Sequence, residues 1–397
     1  MNAPAPIQGS RLRRSNPAEQ SPPMHLAEPP IRVMIVDDSL TVRTIFKRMV
    51  ESDTAMQVVE TASSAERAIA LLDKTPAHVI LLDLEMPGMG GLEALPAILE
   101  KANGGKVLVV SSLTQDGAEH TVSALSMGAA ETMLKPRPGG FNEEYRSQLL
   151  GTIRALGEAV EGIESIDVEQ PQAEEDIAVA PVKKAPAVPP QTKARPGLTK
   201  RPDVVAIGAS TGGIHALNIM LRCLTPDFDL PILITQHLPA SFIPVFARQV
   251  EMACARPALI ADEGTEIRRG EVAIATGHGH MTVKRMGDRL ITRTLSAPAP
   301  SGCLPSVDPM FESLAEACNG RVLGIVLSGM GRDGLEGARA LVEAGGTIYA
   351  QDADTSAVWG MPGAVTKAGL SSLVAAPADL GERMLQAAQM PSTAERS

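Results

Sequence analysis

The chain has 397 residues, too many for one ordinary hydrophobic core, so two domains joined by connecting material are expected. It is 44% hydrophobic and 21% charged with a net charge of −10, which fits a folded globular protein and argues against a nucleic-acid binder without a local basic stripe. The only basic cluster, Arg11, Arg13 and Arg14, lies in a tail, and 2% aromatic residues are too few for base-stacking platforms.

Residues 1–30 are rich in Pro, Ala, Ser and Arg and read as a disordered tail. No run approaches the roughly 18 apolar residues of a membrane span, and no apolar signal core opens the chain. The four cysteines, Cys223, Cys254, Cys303 and Cys318, form no C-x-x-C pair. A reduced, cytoplasmic location is expected.

From Ile31 five short apolar runs follow: Val33–Val36, Gln57–Glu60, Val79–Leu82, Val107–Val110 and Thr132–Leu134. Segments with helical apolar spacing lie between them, such as Ala65–Leu72 and Gly91–Leu99, and an amphipathic helix spans Glu143 to Ile163. This alternation predicts a flavodoxin-like (βα)5 domain over residues 31–150, with a parallel sheet covered on both faces. Residues 151–200 hold the helix end and then an acidic, Pro/Ala-rich stretch expected to be an extended linker.

Order returns over residues 201–390, before a short tail at 391–397. Strands are expected at Val204–Ile207, Pro231–Thr235, Val322–Leu327 and Gly346–Ala350, with helices at Ile214–Leu224 and Gly334–Ala344. Val272–Ala275, Met281–Lys284 and Arg289–Thr294 read as shorter strands of a β-hairpin insert. The second domain is therefore another doubly wound, mostly parallel α/β unit.

In the first domain Asp37 and Asp38 follow the first strand, Asp83 ends the third, Ser111 the fourth, and Lys135 the fifth. The carboxyl ends of parallel strands share one edge, so these side chains are expected to converge. Asp37, Asp38 and Asp83 suit Mg²⁺. Asp83 would accept a phosphoryl group, which Lys135 and Ser111 would contact. With Met86-Pro87-Gly88-Met89, this pattern resembles the receiver domain of two-component response regulators. Gly90-Gly91 stands where that family often has Asp-Gly, and Thr132 stands near its switching aromatic.

In the second domain Gly208-Ala209-Ser210-Thr211-Gly212-Gly213 matches G-x-S-x-G between a strand and a helix, which would expose the Ser210 hydroxyl at a helix N-terminus. The same glycines could hold a nucleotide phosphate, but G-x-G-x-x-G is not met and no acidic residue ends the next strand. That strand ends in Gln236-His237-Leu238-Pro239, placing His237 as a general base. Asp333, in Gly329-Met330-Gly331-Arg332-Asp333-Gly334, would orient it. The backbone N–H groups of Thr211 and Met330 are candidate oxyanion donors. The order Ser, His, Asp is not that of α/β-hydrolases.

Together with Pro305-Ser306-Val307-Asp308, these motifs resemble the catalytic domain of chemotaxis protein-glutamate methylesterases, and the receiver–linker–esterase order matches as well. The resemblance implies a phosphorylation-regulated enzyme. It would hydrolyse glutamate methyl esters, and deamidate glutamines, on methyl-accepting chemoreceptors through a Ser210 acyl-enzyme for sensory adaptation. A histidine kinase of the chemosensory pathway would supply the phosphoryl group to Asp83, with Mg²⁺ in the receiver and no cofactor for the esterase. His278-Gly279-His280 reads as a loop near the active-site mouth. Asp352, Asp354 and Trp359 could line the cleft without assigned chemistry.

Overall fold

The computed structural model describes residues 29–111, 114–136, 140–160 and 197–391. The expected N-terminal tail, most of the linker and the C-terminal tail lie outside the described residues, and the helix expected over Glu143–Ile163 ends at Glu158.

The first unit runs β1 (Ile31–Val36), α1 (Leu40–Val50), β2 (Met56–Ala62), α2 (Ala65–Leu72), β3 (Val79–Asp83), α3 (Gly91–Lys101), β4 (Lys106–Ser111), α4 (Gln115–Met127), β5 (Glu131–Leu134) and α5 (Glu143–Glu158). Its strands are parallel in the order β2-β1-β3-β4-β5, the flavodoxin-like arrangement. The central strand β3 is buried along its whole length, which is why its sequence is continuously apolar up to Asp83. Local chemistry sets the helix starts. Thr114 Oγ1 accepts from the Gly117 N–H at 2.8 Å and Asn142 Oδ1 from the Tyr145 N–H at 2.9 Å, each satisfying a first-turn donor.

The second unit runs β6 (Val204–Ala209), α6 (Gly213–Leu221), β7 (Ile232–Gln236), α7 (Ile243–Cys254), β8 (Ala258–Ala261), β9 (Glu266–Ile267), β10 (Val272–Ala275), β11 (His280–Met286) and β12 (Arg289–Leu295). It continues with α8 (Val307–Ala317), β13 (Val322–Val326), α9 (Leu335–Glu343), β14 (Thr347–Gln351), α10 (Met361–Lys367), β15 (Ser371–Ala375) and α11 (Pro377–Ala388). Seven parallel strands form one sheet in the order β15-β14-β13-β6-β7-β10-β8. Here the sequence expectation needs one correction. Val272–Ala275 does not belong to the hairpin insert; all four residues are buried and the strand pairs in parallel with β7 and β8. Only β11 and β12 form the antiparallel hairpin, with β9 added at its edge.

The strand order reverses around β6, with β7 on one side and β13 on the other. Ligands of open α/β sheets bind in the crevice at such a switch point, beyond the carboxyl ends of the strands. The two units are joined by packing as well as by the chain. Helix α4 of the first lies against α6 and α7 of the second, and one apolar cluster runs from Met34, Leu95 and Val122 into Ile214, Leu217 and Phe246.

Candidate active site

Ser210 and His237 directly follow β6 and β7, and Asp333 lies in the loop from β13 to α9, just before the helix. Ser210 sits in a tight turn whose backbone is fixed on both sides. Its N–H donates to the Ser328 carbonyl at 3.0 Å, and its own carbonyl accepts from Gln236 Nε2 at 3.1 Å. Two glycines make the turn possible. Gly212 has φ +73°, and a Cβ there would lie 2.3 Å from Ala357 Cβ; a Cβ on Gly329 would lie 2.8 Å from Ser210 Cβ.

His237 Nε2 bonds Asp333 Oδ2 at 2.7 Å, with side-chain exposures of 16% and 1%. The imidazole thus directs Nε2, not Nδ1, to the carboxylate. Burial opposes charge on His237, but the hydrogen bond to Asp333 and the neighbouring Cys303 outweigh it and raise the imidazole to about 9. Burial likewise opposes charge on Asp333, yet bonds from His237, Ser306 and Val307 hold its carboxyl well below the usual carboxylate range. Ser306 Oγ donates to Asp333 Oδ1 at 2.6 Å and the Val307 N–H to Oδ2 at 2.7 Å. The N–H groups of Thr211 and Met330 make no hydrogen bond among the described residues, so both remain available to a developing oxyanion.

The sequence reading named His280, Trp359 and Asp352 without giving them chemistry, and His280 opens β11 instead of lying in the expected loop. His280 is buried. Its Nδ1 accepts from the Ser306 N–H at 2.9 Å and its Nε2 donates to the Ala297 carbonyl at 2.9 Å, so it pins the segment that cradles Asp333. Trp359 Nε1 donates to the Gln351 carbonyl at 2.9 Å, and its backbone bridges to Gly329, beside Met330. Asp352 caps its own turn by accepting from the Thr355 N–H at 2.9 Å. His278 and Asp354 are brought to no part of this hydrogen-bond network.

The acidic cluster of the first unit also assembles. One oxygen each of Asp37, Asp38 and Asp83 lies within 4.8 Å of the others, and hard carboxylate donors at this spacing fit Mg²⁺. Lys135 Nζ bridges Asp37 Oδ2 at 2.6 Å and Asp83 Oδ2 at 2.8 Å. Burial pushes Asp83 up despite Lys135. Ser111 is buried, and its hydroxyl accepts from Thr121 Oγ1 of α4 at 2.7 Å. Thr132 Oγ1 is buried without a hydrogen-bond partner among the described residues, so it is not hydrogen-bonded to Ser111.

The start of β5 reaches the second unit's site. The Ala130 carbonyl accepts from the Gly212 N–H at 2.6 Å, and the Glu131 carboxylate accepts from the Thr211 hydroxyl. Burial raises the Glu131 carboxyl above its ordinary range, against the bonds from Thr211 and the Thr132 N–H. The space left between Glu131, Ser210, Gln236 and His237 is about 10 Å³. Farther out, the His215 Nδ1–H donates to the Ser126 carbonyl at 2.9 Å, and Arg248 pairs with Glu119 at 2.9 Å.

The sequence model described as CheB methylesterase matches residues 205–384, and that of the response regulator receiver domain matches residues 33–140. A protein-glutamate methylesterase/protein-glutamine glutaminase of Rhodospirillum rubrum is 39% identical over 376 residues, covering 92% of this chain and 97% of that protein. A protein of the same description from Maricaulis maris is 38% identical over 385 residues, covering 90% and 96%. Among solved structures, the Thermotoga maritima CheB methylesterase catalytic domain is 29% identical and covers 47% of this chain and 98% of its own, with a TM-score of 0.46. With that identity sustained across both units, the chain belongs to the protein-glutamate methylesterase/protein-glutamine glutaminase family, a receiver domain joined to a CheB methylesterase domain.

Proposed function

We propose that this enzyme, a protein-glutamate methylesterase and protein-glutamine glutaminase, works through Ser210, His237 and Asp333 on glutamyl side chains of chemoreceptors. The observation that carries the reading is the 2.7 Å bond from His237 Nε2 to Asp333, which leaves Nδ1 as the base next to the Ser210 turn. His237 takes the hydroxyl proton as Ser210 attacks the ester carbonyl. The N–H groups of Thr211 and Met330 stabilise the tetrahedral oxyanion, and His237 returns the proton to departing methanol. Water then attacks the acyl-enzyme by the same route and leaves a free glutamate. A glutamine substrate follows the same path and releases ammonia.

Control belongs to the receiver. Asp83 accepts a phosphoryl group from the histidine kinase of the pathway. Asp37, Asp38 and Asp83 would hold Mg²⁺, which when bound shields the charge of the phosphoryl group. Lys135, paired with Asp83, would bind phosphoryl oxygens, and Ser111 would donate to one. With Ala130 and Glu131 seated on the Ser210 turn, the unphosphorylated receiver excludes substrate, and phosphorylation shifts the population toward an open site. The enzyme acts on the cytoplasmic segments of its receptors.

Methanol release from methylated receptor fragments tests both parts. The full chain is assayed with and without a small phosphodonor, alongside Ser210→Ala and Asp83→Ala. Activity surviving in Ser210→Ala removes the acyl-enzyme reading. Equal stimulation of Asp83→Ala by the phosphodonor removes the receiver reading.

A further inference from the structure

Cys303 is a thiol with no part in the acyl-transfer chemistry, yet it stands at the catalytic base. Its Sγ, a ring nitrogen of His237 and a carboxylate oxygen of Asp333 all lie within 4.8 Å of one another. Hydrogen bonds hold the loop in place. The Cys303 N–H donates to Ser301 Oγ at 3.3 Å, Ser301 Oγ in turn donates to Ser306 Oγ at 3.3 Å, and Ser306 Oγ donates to Asp333. The thiol is half-buried and the next residue, Leu304, is 56% exposed, so the cluster has one wall open to solvent.

We propose that Cys303, His237 and Asp333 form a binding site for a thiophilic divalent cation, Zn²⁺ foremost, whose occupancy reversibly shuts off the esterase. One sulfur, one imidazole nitrogen and one carboxylate oxygen with a fourth position open are ligands that Zn²⁺ accepts at about 2.3, 2.0 and 2.1 Å. Ligands at such distances from a tetrahedral ion lie roughly 3.3–3.7 Å apart. The present cluster therefore closes on the ion through a small movement of the Cys303 loop. Thiolate and imidazole set it apart from the all-carboxylate cluster of Asp37, Asp38 and Asp83, which suits Mg²⁺.

The proton balance explains the loss of activity. Binding expels the Sγ proton and the Nε2 proton of the imidazolium to solvent. Nε2 then bonds the metal, the remaining ring proton stays on Nδ1, and no lone pair is left to accept the Ser210 proton. The metal also replaces the bond between His237 and Asp333 that orients the ring.

The inhibition, though not the binding, rests on the proposed role of His237. The test uses the full chain activated by a phosphodonor in Mg²⁺. Methanol release is followed during titration with Zn²⁺ and then with a chelator, and Co²⁺ is added separately as a spectroscopic probe. The expected result is loss of most activity with Zn²⁺, recovery with the chelator, and a sulfur-to-cobalt charge-transfer band. Cys303→Ser, compared with its own rate before the metal is added, should lose both the band and the sensitivity to Zn²⁺. Cys223→Ser serves as a control and should change neither. A missing band, or a band and inhibition unchanged in Cys303→Ser, overturns the site. A band dependent on Cys303 without inhibition leaves the metal site standing and instead refutes His237 as the base.

Discussion

The Thr211 hydroxyl donates to the Glu131 carboxylate, joining the residue after the candidate nucleophile to the first residue of receiver strand β5. Truncating Glu131 to Ala leaves the Thr211 hydroxyl and the Thr132 N–H unpaired and opens space above Ser210. An unsatisfied buried polar group costs about 1–3 kcal/mol. Glu131→Ala should therefore raise the methanol release of the unphosphorylated chain by roughly 5- to 150-fold. The phosphorylated chain should change little. Equal basal rates for wild type and variant would show that this contact does not hold the site closed.

The bond between Ser111 and Thr121 offers a route from the acidic cluster around Asp83 to α4, the helix that packs on the second unit. Thr121→Val keeps the shape and removes the hydroxyl. Phosphoryl loading of Asp83, measured on the intact protein, should be unchanged. Stimulation of methanol release by the phosphodonor should fall by about fivefold or more. Stimulation of full size in Thr121→Val would place the relay elsewhere.

His237 is raised to about 9, and a general base works only when neutral. For the activated enzyme, kcat/KM should rise with pH and level off near that value. Asp333→Asn removes the carboxylate that orients the ring and stabilises the imidazolium, so the inflection should move to lower pH while kcat falls by about 10⁴-fold. A profile that is flat between pH 6 and 9 would contradict His237 as the base.

Asp308 lies beside the Asp333 carboxylate and accepts from the Gly337 N–H at 2.7 Å. Burial, assisted by the nearby Asp333 charge and opposed by that bond, raises its carboxyl to about 7. The folded chain thus binds a proton that the unfolded chain has released, and the stability tied to this group declines as pH rises from about 4 to about 7. Asp308→Asn keeps an acceptor for Gly337 and removes the titration. Its melting temperature should match the wild type near pH 4 and exceed it at pH 8. A variant less stable than wild type at pH 8 would reverse the sign.

Much of the site was legible because parallel α/β sheets bring strand ends to one edge whatever the intervening length. Knowing that Asp37, Asp83 and Lys135 lie at strand ends was enough to place them together, and the strand-end rule likewise brought His237 to the Ser210 turn and, through the loop after β13, Asp333 to His237. Val272–Ala275 misled for a physical reason. A four-residue apolar run between turns looks the same in a hairpin and in a buried parallel strand, and only its pairing with β7 and β8 distinguishes them.

The amino-acid sequence by itself determined the two (βα) units, the Ser210 turn, its His and Asp partners, and the acidic cluster around Asp83. These follow from apolar periodicity and from residue types at strand ends, which are local signals. Tertiary structure alone decided that Nε2 rather than Nδ1 of His237 faces Asp333. It also decided that His280 and Ser306 hold that carboxylate, that Cys303 stands beside His237, and that Ala130 and Glu131 bond the turn that follows Ser210. Each depends on how surfaces distant in the chain settle against one another, and no spacing in the sequence encodes such contacts.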